Sequence, residues 1–179
     1  MTSEFNALLQ RLNDGDADAV DAAERRVDAA PGSAEAARLR RALVQYYTRA
    51  VGARRADFGA THLSRDYHAA LRHMRVLMRA SADAPPQNVL QFYSLLIHTG
   101  HLTEALAALE ARAAAVPETP AEFDLHVMAV LARLRYRLGD FEASEALFRW
   151  LLEHALRLWG TRFNGQQERF VGSALARIA

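Results

Sequence analysis

Apolar residues recur along this chain at steps of three and four. Phe148, Leu151, Leu152, Ala155 and Leu158 fall on one stripe, the spacing of a helix that buries a single face. No stretch alternates apolar and polar positions over five or more residues, so strands are not expected. The punctuation between stripes sets the boundaries. Thr119-Pro120-Ala121-Glu122 reads as a capping box with proline at the first helical position. Asn164 with Gln167, and Ser33 after Pro31-Gly32, read as two further starts. Gly15, Gly100 and Gly139 read as stops, each followed closely by a new apolar run. Together these signals predict helices over 3–13, 16–30, 33–57, 66–82, 86–99, 102–115, 120–138, 141–159 and 165–178. The connections are mostly short, which pairs neighbouring helices as antiparallel hairpins. The one longer irregular stretch runs from Gly59 to Arg65. No Gly/Ser linker divides the chain, and one domain over 1–179 is expected.

Composition supports the helical reading. Of 179 residues 51% are apolar, enough for a core, and alanine and leucine dominate while glycine and proline number only 9 and 5. There is no cysteine, which removes disulfides, thiol nucleophiles and cysteine-held metals. Lysine is absent too, so all 22 positive charges are arginine, against 21 acids. One reading of that absence is the codon bias of a GC-rich bacterial genome, which favours arginine. A second reading is avoidance of amine-directed modification in a eukaryotic host, since the lysine ammonium is the usual acceptor. Glu4, Arg11 and Asp14 interrupt the stretch where a signal peptide would need an apolar run, and no eighteen-residue apolar span occurs. The protein is expected to be soluble and cytoplasmic, or delivered to a host if the second reading of the missing lysine holds.

A repeat emerges from the turns. One copy reads Gly139-Asp140-Phe141 with Ser144 and Phe148, preceded by a helix holding Leu131 and Ala132. Another reads Gly100-His101-Leu102 with Ala105 and Leu109, closed by Pro117. A third reads Gly15-Asp16-Ala17 with Val20 and a terminal Pro31. The last, Arg65-Asp66-Tyr67 with Ala70 and Met74, keeps the spacing without the glycine. Each unit is a helix, a tight turn and a second helix whose small residue permits close approach, a unit that buries its apolar face only by stacking. This pattern resembles the tetratricopeptide repeat family, with Val89 and Met128 standing where that family usually has tryptophan. The resemblance implies an all-α solenoid of stacked antiparallel hairpins over 3–30, 33–82, 86–116 and 120–159, with a C-terminal capping helix over 165–178.

Motifs for chemistry are missing. His68 and His73 lie five apart, on different sides of a helix, and His98 and His101 flank a turn, so no zinc-like spacing arises. Asp14, Asp16 and Asp18 lack the glycine and distal glutamate of a calcium loop, and a helix N-terminus explains them better. No phosphate loop, dinucleotide fingerprint or nucleophile elbow occurs. No enzyme activity, metal or cofactor is expected. Trp150 is expected to pack in the core rather than to mark a ligand box.

Charge is uneven. Residues 1–35 carry eight acids and three arginines, whereas the Arg-rich 36–80 region carries ten arginines and two acids. Arg40, Arg41, Arg49, Arg54 and Arg55 share one long helix with Tyr46 and Tyr47. Either this basic face pairs with the acidic first hairpin, or it meets an anionic partner, an acidic protein segment or nucleic-acid phosphate. In tetratricopeptide proteins the first helix of each hairpin lines the concave groove. That resemblance implies partner contacts at His126, Ala129, Arg133, Tyr136 and Arg137 in the fourth unit and at Gln87, Leu90, Ser94, Ile97 and His98 in the third. The expected function is a protein-interaction module: an adaptor, assembly factor or chaperone, similar in size to bacterial secretion-system chaperones, that holds an acidic or amphipathic segment. The competing expectation is a regulatory or nucleic-acid-associated protein using Arg40, Arg41 and Tyr47 of the 36–80 region.

Overall fold

The computed structural model describes residues 3–53, 63–80, 84–160 and 162–178. The expectations for Arg54, Arg55 and most of the Gly59 to Arg65 stretch lie outside them. Among the described residues the chain is all-α, with no strand. Its helices are α1 (Ser3–Asn13), α2 (Asp18–Ala29), α3 (Ala34–Ala53), α4 (Arg65–Ala80), α5 (Pro86–His98), α6 (Leu102–Ala113), α7 (Glu122–Arg137), α8 (Phe141–Trp159) and α9 (Gly165–Leu175). The expected caps form at two of the three starts. Ser33 Oγ accepts from the Ala36 N–H at 3.0 Å. Asn164 Oδ1 accepts from the N–H groups of Gln166 and Gln167, and the Gln167 amide oxygen accepts from the Asn164 N–H. The third start differs. Helix α7 begins at Glu122 rather than Pro120, and it is Asp124 that reaches back to the Ala121 N–H at 3.0 Å. Arg112 of α6 then meets the other oxygen of Asp124 at 2.5 Å, tying α6 to the start of α7.

The chain forms two compact units, Met1–Gly100 and His101–Ala179. The hairpin expected over 86–116 therefore has one helix in each.

In the N-terminal unit, α1, α2 and α3 enclose Phe5, Leu12, Ala23, Val27, Leu39 and Leu43. Helix α3 packs along α4, which packs on α5. Ala70 and Met74 of α4 are fully buried, the small and large positions of the repeat. In α2, which starts at Asp18 rather than at 16, the buried small residues are Ala19 and Ala23, with the repeat position Val20 only partly covered.

In the C-terminal unit, α6 packs on α7, α7 on α8 and α8 on α9. Ala105, Leu109 and Phe148 are buried where the repeat places them, and Leu151 where the apolar stripe does. Ser144 Oγ donates to the Ala132 carbonyl at 2.8 Å, so the smallest point of the α7–α8 approach is also hydrogen-bonded. The α7–α8 reversal turns on Gly139, at φ +85°, a conformation L side chains rarely adopt. The Gly139 N–H donates to the Tyr136 carbonyl and the Asp140 N–H to that of Arg135, which satisfies the free carbonyls of the helix end.

Candidate functional site

The fourth-unit residues lie on α7, and α9 comes up beside them. Phe170 meets the His126 ring edge-on with centroids 5.4 Å apart, and it meets Trp159 of α8 in the same way. Between α7, α8 and α9 lies an open cavity of about 370 Å³. Its floor is apolar, with Ala129, Phe148, Leu151 and Ala174 buried. Its rim carries His126 and Arg133 from α7 and Gln166, Arg169 and Ser173 from α9. No carboxylate belongs to the lining among the described residues; Glu122 stands 3.9 Å from His126 Nε2. Arg133 and Arg169 make no hydrogen bond or ion pair among the described residues. Although Arg133 reaches the surface, its guanidinium is crowded. Burial first, and the charge of Arg177 second, hold its pKa below the usual arginine value.

Tyr136 and Arg137 end α7. The Tyr136 ring meets Phe141 of α8 edge-on at 5.1 Å, and the Arg177 guanidinium sits 4.4 Å from the Tyr136 centroid. These rings remain at the surface: Tyr136 is 42% exposed and Phe141 60%, with Leu138 exposed between them. Arg137 is exposed too. Phe141 and Arg177 were missed at the sequence level. In the sequence Phe141 signals only a turn, and nothing in a short last helix says which neighbour its final arginine meets.

The basic helix of the N-terminal unit behaves differently. Arg40 is buried, and its Nη1 lies 3.3 Å from His73 Nδ1. An arginine has only N–H groups to offer, so Nδ1 accepts and Nε2 carries the proton toward Glu24 Oε1, 2.9 Å away. Tyr47 donates to the same Glu24 oxygen at 2.8 Å, Arg72 donates to it at 2.9 Å, and the Tyr47 and His73 rings lie parallel. Burial acts to raise the Glu24 carboxyl pKa, but the contacts from His73, Tyr47 and Arg72 outweigh it and hold the group at about 2. Burial, then the bond to Glu24, pushes the Tyr47 phenol well above its ordinary value. Arg49 donates to the Asn13 carbonyl at 2.9 Å. Arg40 thus joins α3 to α4 and Tyr47 joins α3 to the acidic first hairpin; Arg40 is buried, its Nε without a hydrogen-bond partner among the described residues, and Tyr47 turns its hydroxyl inward to Glu24. Only Arg41 of the three expected α3 contacts is exposed.

On α5, Gln87 and Ser94 are exposed and Leu90 is partly covered; Ile97 is also partly covered, and His98 stacks on Tyr67. These residues and those of α7 belong to different units. Trp150 is partly covered in the C-terminal core and stacks on His154 of its own helix at 4.1 Å. Among the described residues no three His, Asp or Glu side chains gather as metal ligands, and no helix is long and apolar enough to cross a membrane. No protein-family model, curated protein or solved structure matches this chain.

Proposed function

We propose that the protein is a tetratricopeptide-like stack of helical hairpins, capped by α9, that works as an adaptor, assembly factor or chaperone by holding an acidic or amphipathic protein segment. The observation that carries this reading is the exposed knuckle of Tyr136, Leu138 and Phe141, flanked by Arg137 and Arg177. Two large rings left at the surface, already in edge contact with one another and with the Arg177 guanidinium on one of them, have the composition of an interaction hot spot. The rings supply contact area at low entropy cost, and the guanidinium forks match carboxylates. The protein reading is preferred to a nucleic-acid one because Arg40, Arg49 and Arg72 are engaged within their own unit.

The test is affinity capture from native extract with the wild-type protein and with a Tyr136→Ala, Phe141→Ala, Arg137→Ala variant, followed by reconstitution with the purified partner. One protein retained by the wild type, lost by the variant and bound again in purified form is the expected result. Equal capture by both, or steeply salt-dependent binding to random duplex DNA, would overturn the reading.

A further inference from the structure

We infer that the cavity between α7, α8 and α9 is a binding site for a small amphiphilic anion, a monocarboxylate carried on an apolar body. This goes beyond the partner-segment reading and does not depend on it. Arg133 and Arg169 approach the cavity from opposite helices, and neither has a counter-charge among the described residues. Arg177 adds a further positive charge beside Arg133. Like charges brought together around a crevice raise its potential, and a low-dielectric wall focuses it. An anion entering there would offset the repulsion between Arg133 and Arg177, and the rim arginines offer planar forks to its oxygens.

The floor selects among anions. Phe170 is only partly covered and lines the cavity with Ala129, Phe148 and Leu151, an apolar wall that an inorganic ion would leave unmatched. An alkyl chain or aromatic ring would cover it and gain the transfer energy of its own apolar area. The volume, about 370 Å³, lies at the low end of the range for small-molecule pockets. A polar rim over an apolar floor is therefore matched by a charged head on a short apolar body.

The experiment is a titration of the full chain with octanoate, followed by two-dimensional NMR, with octanol and acetate as the uncharged and tail-less controls. Saturable shifts confined to the cavity-lining residues of α7, α8 and α9 are expected, with both controls at least about tenfold weaker, since a hydrogen-bonded charge and a buried tail each contribute on that scale. Arg133→Gln with Arg169→Gln should weaken octanoate by about tenfold or more at unchanged helical circular dichroism. Should that pair lose its fold, Arg169→Gln alone, on an exposed residue, supplies the charge test. Lysine at both positions should restore part of the affinity. Leu138→Ala with Phe141→Ala, which leaves the Arg177 guanidinium on the Tyr136 ring, should leave octanoate binding unchanged, which separates this site from the knuckle. Octanol binding as tightly as octanoate, octanoate surviving loss of the arginine charge, or shifts centred elsewhere would each overturn the inference.

Discussion

Arg135 and Asp140 hold the α7–α8 turn through reciprocal bonds. The Arg135 guanidinium donates to Asp140 Oδ2 at 2.5 Å, and the Asp140 backbone N–H donates to the Arg135 carbonyl at 3.0 Å. Arg11 and Asp16 repeat the arrangement between α1 and α2, at 2.6 Å and 3.0 Å. In both turns a glycine with positive φ stands just before the aspartate. The aspartate then serves the next helix, accepting from the Ala143 N–H in one case and the Asp18 N–H in the other. One carboxylate closes a helix and opens its successor.

Asp140→Ala should therefore remove an N-cap and a partly exposed ion pair together. The expected loss of stability is about 1–2 kcal/mol, mostly from the cap. Asp140→Asn keeps a capping oxygen and should recover most of it. Urea unfolding of the three proteins measures this, and equal midpoints for Ala and wild type would exclude the role.

Glycines in this chain should respond to alanine with opposite signs. At Gly139 a Cβ meets nothing within 4 Å, but φ is +85°, so Gly139→Ala should cost about 1 kcal/mol through backbone strain alone. Gly172 lies within α9, also with nothing near its Cβ and without positive φ. Gly172→Ala should stabilise by about 0.5–1 kcal/mol. Thermal or urea unfolding of the two single variants checks the contrast.

The Glu24 network sets an acid limit on the N-terminal unit. Folded Glu24 stays ionised down to about pH 2, whereas the unfolded group takes a proton near its ordinary value of 4.5. Its contribution is complete above pH 4.5 and lost progressively as pH falls toward 2, because over that window only the unfolded state gains the proton. The shift corresponds to about 3 kcal/mol. Stability measured across this range should fall less steeply in Glu24→Gln than in the wild type; parallel curves would remove Glu24 as the titrating group.

Close approach at the small positions gives a packing test. Ala70 and Ala105 are fully buried, one in each unit. Leucine at either should destabilise by about 1–3 kcal/mol through overpacking. Unchanged unfolding midpoints at both would mean these sites are not helix-crossing points.

The helices were legible in the sequence because their signals are local. Asn164 with Gln167 and Ser33 with Ala36 act within one turn, and so do Gly15 and Gly139. The start of α7 was misplaced by two residues because Asp124, not Glu122, makes the reach-back bond, and Asp124 is held there by Arg112 of another helix. The site was half legible. Helical register put His126 and Arg133 on one face of α7. Arg169, Gln166 and Ser173 arrive from α9, whose docking face no periodicity reports. Likewise, pairing of the basic helix with the acidic hairpin was foreseen as one alternative. Its centre at Glu24 and His73 joins residues 49 apart, beyond the reach of spacing arguments.

The turn at Gly139 also bears on how the protein is made. The backbone bonds that reverse the chain there lie within residues 134–144, and one side chain of the turn, Arg135, also reaches back to Glu110 of α6. Contacts between neighbouring helices joined this way have short separations along the chain, so little loop-closure entropy is spent before they form. The 122–159 hairpin would then assemble early as the chain emerges during synthesis, against an α6 already made, leaving α9 to dock afterwards on a surface already in place.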